Sequence, residues 1–106
     1  MITIAKPSFT TDLATGLTLF PALTERQLEV LVYVYKKVNK DKTYPTQREI
    51  SEELGYSQGT AQQFLDSLVR KGYLVRDTSI SRRNIRLTDL AMEKMMIDNQ
   101  LEMPMR

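Results

Sequence analysis

The chain has 106 residues, of which 42% are hydrophobic and 26% charged, and its formal net charge is +2 at pH 7. This is the composition of one globular domain with a modest core. Cysteine and histidine are both absent, which excludes disulfides, thiolate metal sites, cysteine nucleophiles and Ser-His-Asp catalysis. No apolar run approaches the roughly 18 residues that span a bilayer. We therefore expect a cytoplasmic protein that is not an enzyme and carries no cofactor or metal.

Residues 1–22 are predicted to form an irregular N-terminal arm, because a proline and a glycine interrupt its short apolar stretches. Regular structure is predicted to begin at Thr24, which with Gln27 three residues later has the form of a capping box. Apolar residues then recur at helical spacing, at Leu28, Leu31, Val32, Tyr35 and Val38. This pattern predicts an amphipathic helix over residues 24–38.

Two further helices follow at short intervals. A second capping box begins at Thr46 and predicts a short helix over 46–54, which Gly55 ends in a left-handed conformation. After a three-residue turn, Ser57 is predicted to cap a third helix that runs to about residue 71. Two helices joined by a turn that contains glycine are typical of a helix-turn-helix.

The last third of the chain adds a hairpin and a helix. Residues 73–76 and 84–87 are strand-like and flank a polar tip, which predicts a β-hairpin. A final helix is predicted over 89–99. The expected fold class is mainly α with a small β-hairpin: a winged helix-turn-helix over 23–88, followed by a C-terminal helix and tail over 89–106.

Four stretches of this sequence resemble one known family. They are residues 23–31 (LTERQLEVL), 44–50 (YPTQREI), 53–57 (ELGYS) and 68–74 (LVRKGYL). Together they resemble the N-terminal DNA-binding domain of the LexA repressor family, over about 23–88. The resemblance implies a winged-helix repressor whose third helix enters the major groove and whose wing reaches the backbone or the minor groove.

The chain also departs from that family in three ways. The family continues into a Ser-Lys self-cleaving peptidase domain that supplies dimerisation, whereas eighteen residues follow Thr88, so we expect no peptidase here. The arm has no counterpart in the family pattern. The family has an asparagine and two acidic residues where this chain has Gly59, Gln62 and Gln63. We therefore expect an operator that differs from the usual damage-response box.

The third helix has one apolar stripe, formed by Ala61, Phe64, Leu65 and Leu68 with Val69 at its edge. The face that points away from this stripe is the candidate base reader. Its N-terminal half carries no charge, and its members are Gln58, Gly59, Thr60, Gln62 and Gln63. Glutamine can donate and accept at adenine, a threonine methyl can pack on thymine, and glycine lets the backbone approach closely. The bland alternative is a neutral solvated face.

Positive charge is concentrated next to this helix. Residues 57–88 hold six basic side chains against two acidic ones, and five of the six are arginine. The predicted phosphate or minor-groove contacts are Arg82, Arg83 and Arg86 on the wing, Arg48 and Ser57 at helix starts, and Arg70 on the third helix. Any of these arginines could instead be solvated.

The sequence thus favours a transcription regulator, most simply a repressor, that binds double-stranded DNA as a homodimer on a palindromic operator. Two apolar segments are candidates for the dimer contact: residues 17–23 of the arm and 90–97 of the last helix. The rival hypothesis is a winged-helix adaptor or inhibitor that binds another protein, for which the methionine-rich last helix is the candidate surface.

Overall fold

The computed structural model describes residues 10–11 and 18–102, with side chains over 20–98. Its elements in chain order are β1 (Thr10–Thr11), β2 (Thr18–Leu19), α1 (Glu25–Asp41), α2 (Gln47–Leu54), α3 (Gln58–Arg70), β3 (Leu74–Arg76), β4 (Ile85–Leu87) and α4 (Asp89–Glu102). The order of α1, α2, α3 and the β3–β4 hairpin confirms the predicted winged helix-turn-helix.

The first helix begins as predicted and ends later. Thr24 Oγ1 accepts from the Gln27 N–H at 3.1 Å, and Gln27 Oε1 accepts from the Thr24 N–H at 3.1 Å, so the capping box is complete. The helix continues three residues beyond 38, to Asp41. An ion pair between Lys37 and Asp41 at 2.9 Å supports this extra turn.

The two helices of the helix-turn-helix also begin and end at the predicted signals. Thr46 and Glu49 form the second capping box, with bonds of 3.1 and 3.0 Å. Gly55 ends α2 at φ +79°, a conformation that side-chain-bearing residues rarely adopt. Ser57 then caps α3. Because the turn between the helices is so short, α3 packs against both α2 and α1.

The core is built from one face of each helix and the inner face of the hairpin. Its buried apolar members are Val30, Leu31, Val34, Ile50, Ala61, Leu65, Leu68, Tyr73, Leu74, Ile85, Leu90, Ala91 and Met95. On α3 the buried positions fall on the predicted apolar stripe, with Phe64 and Val69 at its half-buried edge. The opposite face of α3 is therefore turned away from the core.

The β3–β4 hairpin is antiparallel, with Leu74 opposite Leu87 and Arg76 opposite Ile85. Helix α4 follows directly and packs against α1 and β4. It runs to Glu102, three residues beyond the predicted end. Outside the buried face of α4, the side chains of Met92, Met96 and Ile97 are exposed.

The N-terminal arm differs from the prediction of an irregular segment. Thr10–Thr11 and Thr18–Leu19 pair as a short antiparallel ladder, because the N–H and C=O groups of extended backbone can pair whatever the side chains. The arm then joins the core, since the Tyr73 hydroxyl donates to the Pro21 carbonyl. The rest of the predicted arm, residues 1–9 and 12–17, and the tail residues 103–106 lie outside the described part of the chain.

Candidate nucleic-acid interface

The outer face of α3 presents uncharged polar groups to solvent. Gln62 and Gln63 are both exposed. Neither side chain is hydrogen-bonded to another residue among 20–98, the range with described side chains. Their amides therefore keep both donors and both acceptor positions available for a ligand.

The first turn of α3 is more constrained than its outer face. Ser57 Oγ accepts from the Thr60 N–H at 3.1 Å and donates to Thr60 Oγ1 at 3.0 Å. Gln47 Nε2 donates to the carbonyl of Gln58 at 3.2 Å, and the two amide side chains also meet. These predicted contact residues hold the helix start in place, and their polar groups are partly used within the protein.

Gly59 is not required to be glycine by any contact among the described residues. It lies in the first turn of α3 with no positive φ, and a Cβ built on it would meet no atom of those residues within 4 Å. Glycine in a helix costs stability relative to alanine, by up to about 1 kcal/mol. The absence of a side chain here leaves the backbone open to close approach from outside.

A groove of about 390 Å³ lies beside α3. It is lined by residues 45–48 at the start of α2, Leu65 of α3, Arg76 of β3 and residues 81–85 of the hairpin. The groove therefore brings Arg48 and Arg82 to one concave surface, although they are far apart in sequence. Both side chains are exposed, and neither has an ion-pair partner among the residues with described side chains.

The other two predicted wing arginines are placed differently from Arg82. Arg83 forms a forked ion pair with Glu49, at 3.0 and 2.9 Å. Arg86 donates from Nη1 to the carbonyl of Arg83 at 2.6 Å, and its guanidinium lies 4.7 Å from the ring centre of Tyr44. Both side chains thus bind the hairpin to the rest of the domain, where the sequence predicted contacts with a ligand.

The charge on Glu49 is stabilised by its partners. The Arg83 guanidinium, and then the backbone N–H of Thr46, hold the pKa of the Glu49 carboxyl below its ordinary value. The pKa of Arg83 is raised in turn by the same pair. The pair is therefore ionised at neutral pH.

The remaining charged groups of α3 are also engaged. Asp66 pairs with Arg76 at 3.3 Å, which joins α3 to β3. Arg70 is exposed at the end of α3 and donates to Ser67 Oγ at 3.1 Å. Arg70 lies on the outer face, as predicted, at the end remote from Gly59.

Sequence reasoning missed three residues that shape this surface. Gln47 lines the groove and contacts Gln58, and its position at the first residue of α2 was a usable signal. Glu49 and Tyr44 hold the hairpin tip, but their partners lie 34 and 39 residues away along the chain. No local pattern marks such a pairing.

Among the described residues, no group of three or more histidine, cysteine, aspartate or glutamate side chains could hold a metal ion. No helix in the same part of the chain is long and apolar enough to cross a membrane.

Comparison with known proteins places the chain in a family. The family model for the LexA DNA-binding domain matches residues 21–83, which run from the end of the arm to the hairpin tip. The chain belongs to the LexA DNA-binding domain family. The helix-turn-helix, the outer face of α3 and most of the groove therefore lie within a LexA-type DNA-binding domain.

Individual relatives agree with this assignment. A LexA repressor of Leuconostoc mesenteroides is 37% identical over 70 residues, which are 64% of this chain and 33% of that protein. A LexA repressor of Anaeromyxobacter sp. is 44% identical over 62 residues, or 58% and 27% of the two chains. One from Pediococcus pentosaceus is 32% identical over 79 residues, or 74% and 37%. The chain spans about a third of the length of these curated relatives.

Proposed function

We propose that this protein is a sequence-specific transcription regulator that binds double-stranded DNA and acts as a repressor. One observation carries the proposal. In a LexA-type domain, α3 exposes an uncharged face with unbonded amides, and its Leu65 lines a groove that holds two exposed arginines without an ion-pair partner among the described residues. Base edges need the first feature and phosphates the second.

Gln62 and Gln63 are the proposed base readers. A glutamine amide can bond adenine N6 and N7 at once, which an aliphatic or charged side chain cannot do. Gly59, one turn earlier, lets the backbone at the start of α3 come close to the base edges in the major groove of the DNA. Ser57, Gln58 and Thr60 keep this helix start in position, and the backbone N–H groups of the first turn that the Ser57 cap does not use suit a phosphate.

Arg48 and Arg82 are the proposed phosphate contacts. Their side chains lie at one groove, so a single stretch of DNA backbone can meet both. Arg70 extends the positive surface to the end of α3, and Arg86 adds positive charge from β4. Arginine suits this role because its forked donors match two phosphate oxygens.

We propose further that the protein binds as a homodimer on a palindromic operator. A single winged domain offers few base contacts, and a symmetric pair doubles the site. The arm is the weaker candidate for the dimer contact, because Phe20 and Leu23 are half-buried against the protein's own core. Helix α4 is the stronger one, since Met96 is 55% exposed and has Met92 and Ile97 as exposed neighbours.

Repression would follow when the bound dimer covers a promoter. No cofactor is needed for this, and the cytoplasm of a bacterial cell is the compartment where such DNA is reached. The methionine-rich face of α4 also fits a protein partner, which makes a protein-binding adaptor the competing function.

The deciding experiment is selection of bound duplexes from a random DNA pool by the full chain at about 150 mM salt, where sequence-independent contacts are already weak. A double variant, Gln62→Ala with Gln63→Ala, serves as the matched control. We expect one enriched palindrome for the wild type and none for the control. A folded wild type that enriches nothing would reject the DNA-binding function and favour the adaptor.

The dimer is tested separately by sedimentation of the free protein and of its complex with the selected duplex. We expect two chains per duplex for the wild type. Met96→Glu should give one chain per duplex with the same far-ultraviolet circular dichroism. Two chains bound by this variant would show that α4 is not the dimer contact.

A further inference from the structure

Arg83 at the hairpin tip is bonded to the chain on the opposite side of the groove. Its Nη1 donates to Glu49 Oε1 at 3.0 Å, and its Nη2 donates to Glu49 Oε2 at 2.9 Å. Nη1 also donates to the backbone carbonyl of Tyr44 at 2.9 Å. Three of the five N–H groups of the guanidinium are thus used inside the protein. A forked pair of this kind is the strongest geometry between arginine and a carboxylate.

The backbone of the hairpin tip is held at the same place. Arg83 has a φ of +52°, in the left-handed region that non-glycine residues rarely adopt. Its carbonyl accepts from Arg86 Nη1, and the Arg86 guanidinium stacks on the Tyr44 ring. The Tyr44 hydroxyl accepts in turn from the Leu87 N–H at 3.1 Å. Because an unfavourable backbone conformation persists only where its surroundings impose it, these bonds define the shape of the tip.

We propose that Arg83 is a positioning residue of the DNA interface: its pair with Glu49 holds the hairpin tip against the start of α2 and thereby fixes Arg82 beside Arg48 at the groove. Arg82 directly precedes the left-handed residue, so the conformation at 83 decides where the Arg82 guanidinium lies. This inference rests on the proposed function, because it assigns a role within the same interface.

The opposite assignment is the one the charge pattern suggests, in which Arg83 itself binds phosphate. The two assignments predict opposite signs for Glu49→Gln. If Arg83 positions the tip, loss of the carboxylate releases the tip and weakens DNA binding. If Arg83 binds phosphate, the same change frees its guanidinium, removes a negative charge near the DNA and tightens binding.

Glu49→Gln is suitable because it preserves the helix start. Glutamine at this capping-box position still accepts from the backbone N–H of the cap residue. The chain already uses this arrangement at α1, where Gln27 accepts from the Thr24 N–H at 3.1 Å. A melting curve by circular dichroism checks that the variant is folded.

The experiment measures affinity of the full chain for its selected duplex over a salt series. The variants are Glu49→Gln, Arg83→Ala, the double variant, and Arg82→Ala in the wild-type and Glu49→Gln backgrounds. We expect Glu49→Gln to weaken DNA binding about two- to tenfold, which is at the low end of the coupling energies between residues of one salt-bridge network. The loss should occur although the variant makes the net charge of the protein more positive. Arg83→Ala should then add less than about twofold in the Glu49→Gln background. Arg82→Ala should cost less there than in the wild type, a coupling that a general loss of stability would not produce.

Arg83→Gly separates the side chain from the backbone. Glycine accepts the left-handed conformation without strain, so this variant loses only the tether, and we expect it to bind as weakly as Arg83→Ala. Tight binding by Arg83→Gly would overturn the inference. Tighter DNA binding by Glu49→Gln would also overturn it. The same holds if Arg83→Ala makes the dependence of log affinity on log salt less steep by about 0.9 in both the wild-type and the Glu49→Gln backgrounds. If the wild type binds no duplex at low salt, the proposed function fails as well.

Discussion

Helix α3 and the β3–β4 hairpin contribute to the candidate interface in opposite ways. The first three turns of α3 contain no basic side chain, yet Gln62 and Gln63 are exposed and unbonded within the described residues. The hairpin has three arginines within five residues, but two of them are engaged within the protein: Arg83 pairs with Glu49, and Arg86 donates to the backbone of the hairpin and lies over the Tyr44 ring. The region that is richer in charge therefore offers fewer unpaired groups to a ligand.

The contrast teaches that the sequence count of charges overstates the available charge. A guanidinium that already pairs with a carboxylate must lose that pair before it can bind a phosphate. An exposed amide that is bonded only to water exchanges one partner for another. Base reading by α3 and phosphate contact by Arg82 should accordingly be the two effects that mutations remove most cleanly.

The largest expected effect is on α3. Gln62→Ala and Gln63→Ala should each cost about 1–3 kcal/mol of binding free energy, or about 5- to 150-fold in affinity, and relax specificity at one base pair. Competition with single-base variants of the selected duplex measures this. Asn39→Ala is the matched control: it removes an exposed amide from α1 and should change neither the affinity nor the base specificity. Equal losses on every duplex would show that the glutamines do not read bases.

Arg82 on the hairpin should act on all duplexes alike. Arg82→Ala should weaken selected and scrambled duplexes equally and lower the slope of log affinity against log salt by about 0.9, because one phosphate contact is lost. Lys40→Ala is the matched control, since it removes one charge from an exposed position at the end of α1. A similar slope change for Lys40→Ala would mean that net charge, and not the hairpin, sets the salt dependence.

Gly59 and Gly55 separate two reasons for glycine in the helix-turn-helix: close approach of DNA at the first and a left-handed backbone conformation at the second. A Cβ at either position meets open space, but only Gly55 has a positive φ. Gly59→Ala should raise the free energy of unfolding by about 0.4–1 kcal/mol, whereas Gly55→Ala should lower it by about 1–2 kcal/mol. Urea titrations measure both. DNA affinity should fall for Gly59→Ala despite the gain in stability. Unchanged affinity would show that the backbone at Gly59 does not approach the DNA closely.

The smallest expected effect concerns pH. The hairpin is tethered by a carboxylate, which titrates, whereas α3 is capped by a hydroxyl, which does not. The pKa of Glu49 is lowered from 4.5 by Arg83 and the Thr46 N–H. A lowered pKa in the folded state means that the pair contributes its full stability above pH 4.5 and loses it as the pH falls through the folded-state value. The difference in Tm between the wild type and Glu49→Gln should therefore be present at neutral pH and shrink in acid.

This pH effect should be small, because both side chains of the pair are more than a third exposed. Ser57→Ala is the control, since it removes a cap that does not titrate and its Tm deficit should stay constant over the same pH range. A wild-type advantage over Glu49→Gln that is equally flat would show that the ion pair does not tether the hairpin.

Most of the fold could be predicted because its signals are local. Capping boxes join residues three apart, an amphipathic helix repeats within four, and a hairpin is bounded by its own turn. The errors lie where the apolar pattern gives no signal: α1 and α4 each run three residues longer than predicted, and a short ladder forms in the arm. Helix ends are sensitive to such contacts as the Lys37–Asp41 pair, which the apolar pattern does not register.

The sequence by itself determined the order of elements, the apolar stripe of α3 and hence which face of that helix is turned outward. Only the tertiary structure decided which arginines have partners, because Arg83 meets Glu49 across 34 residues and Tyr44 across 39. A paired and an unpaired arginine look the same in a sequence. Their difference arises when the chain brings a carboxylate and a carbonyl to the hairpin tip, and that meeting is a property of the whole fold.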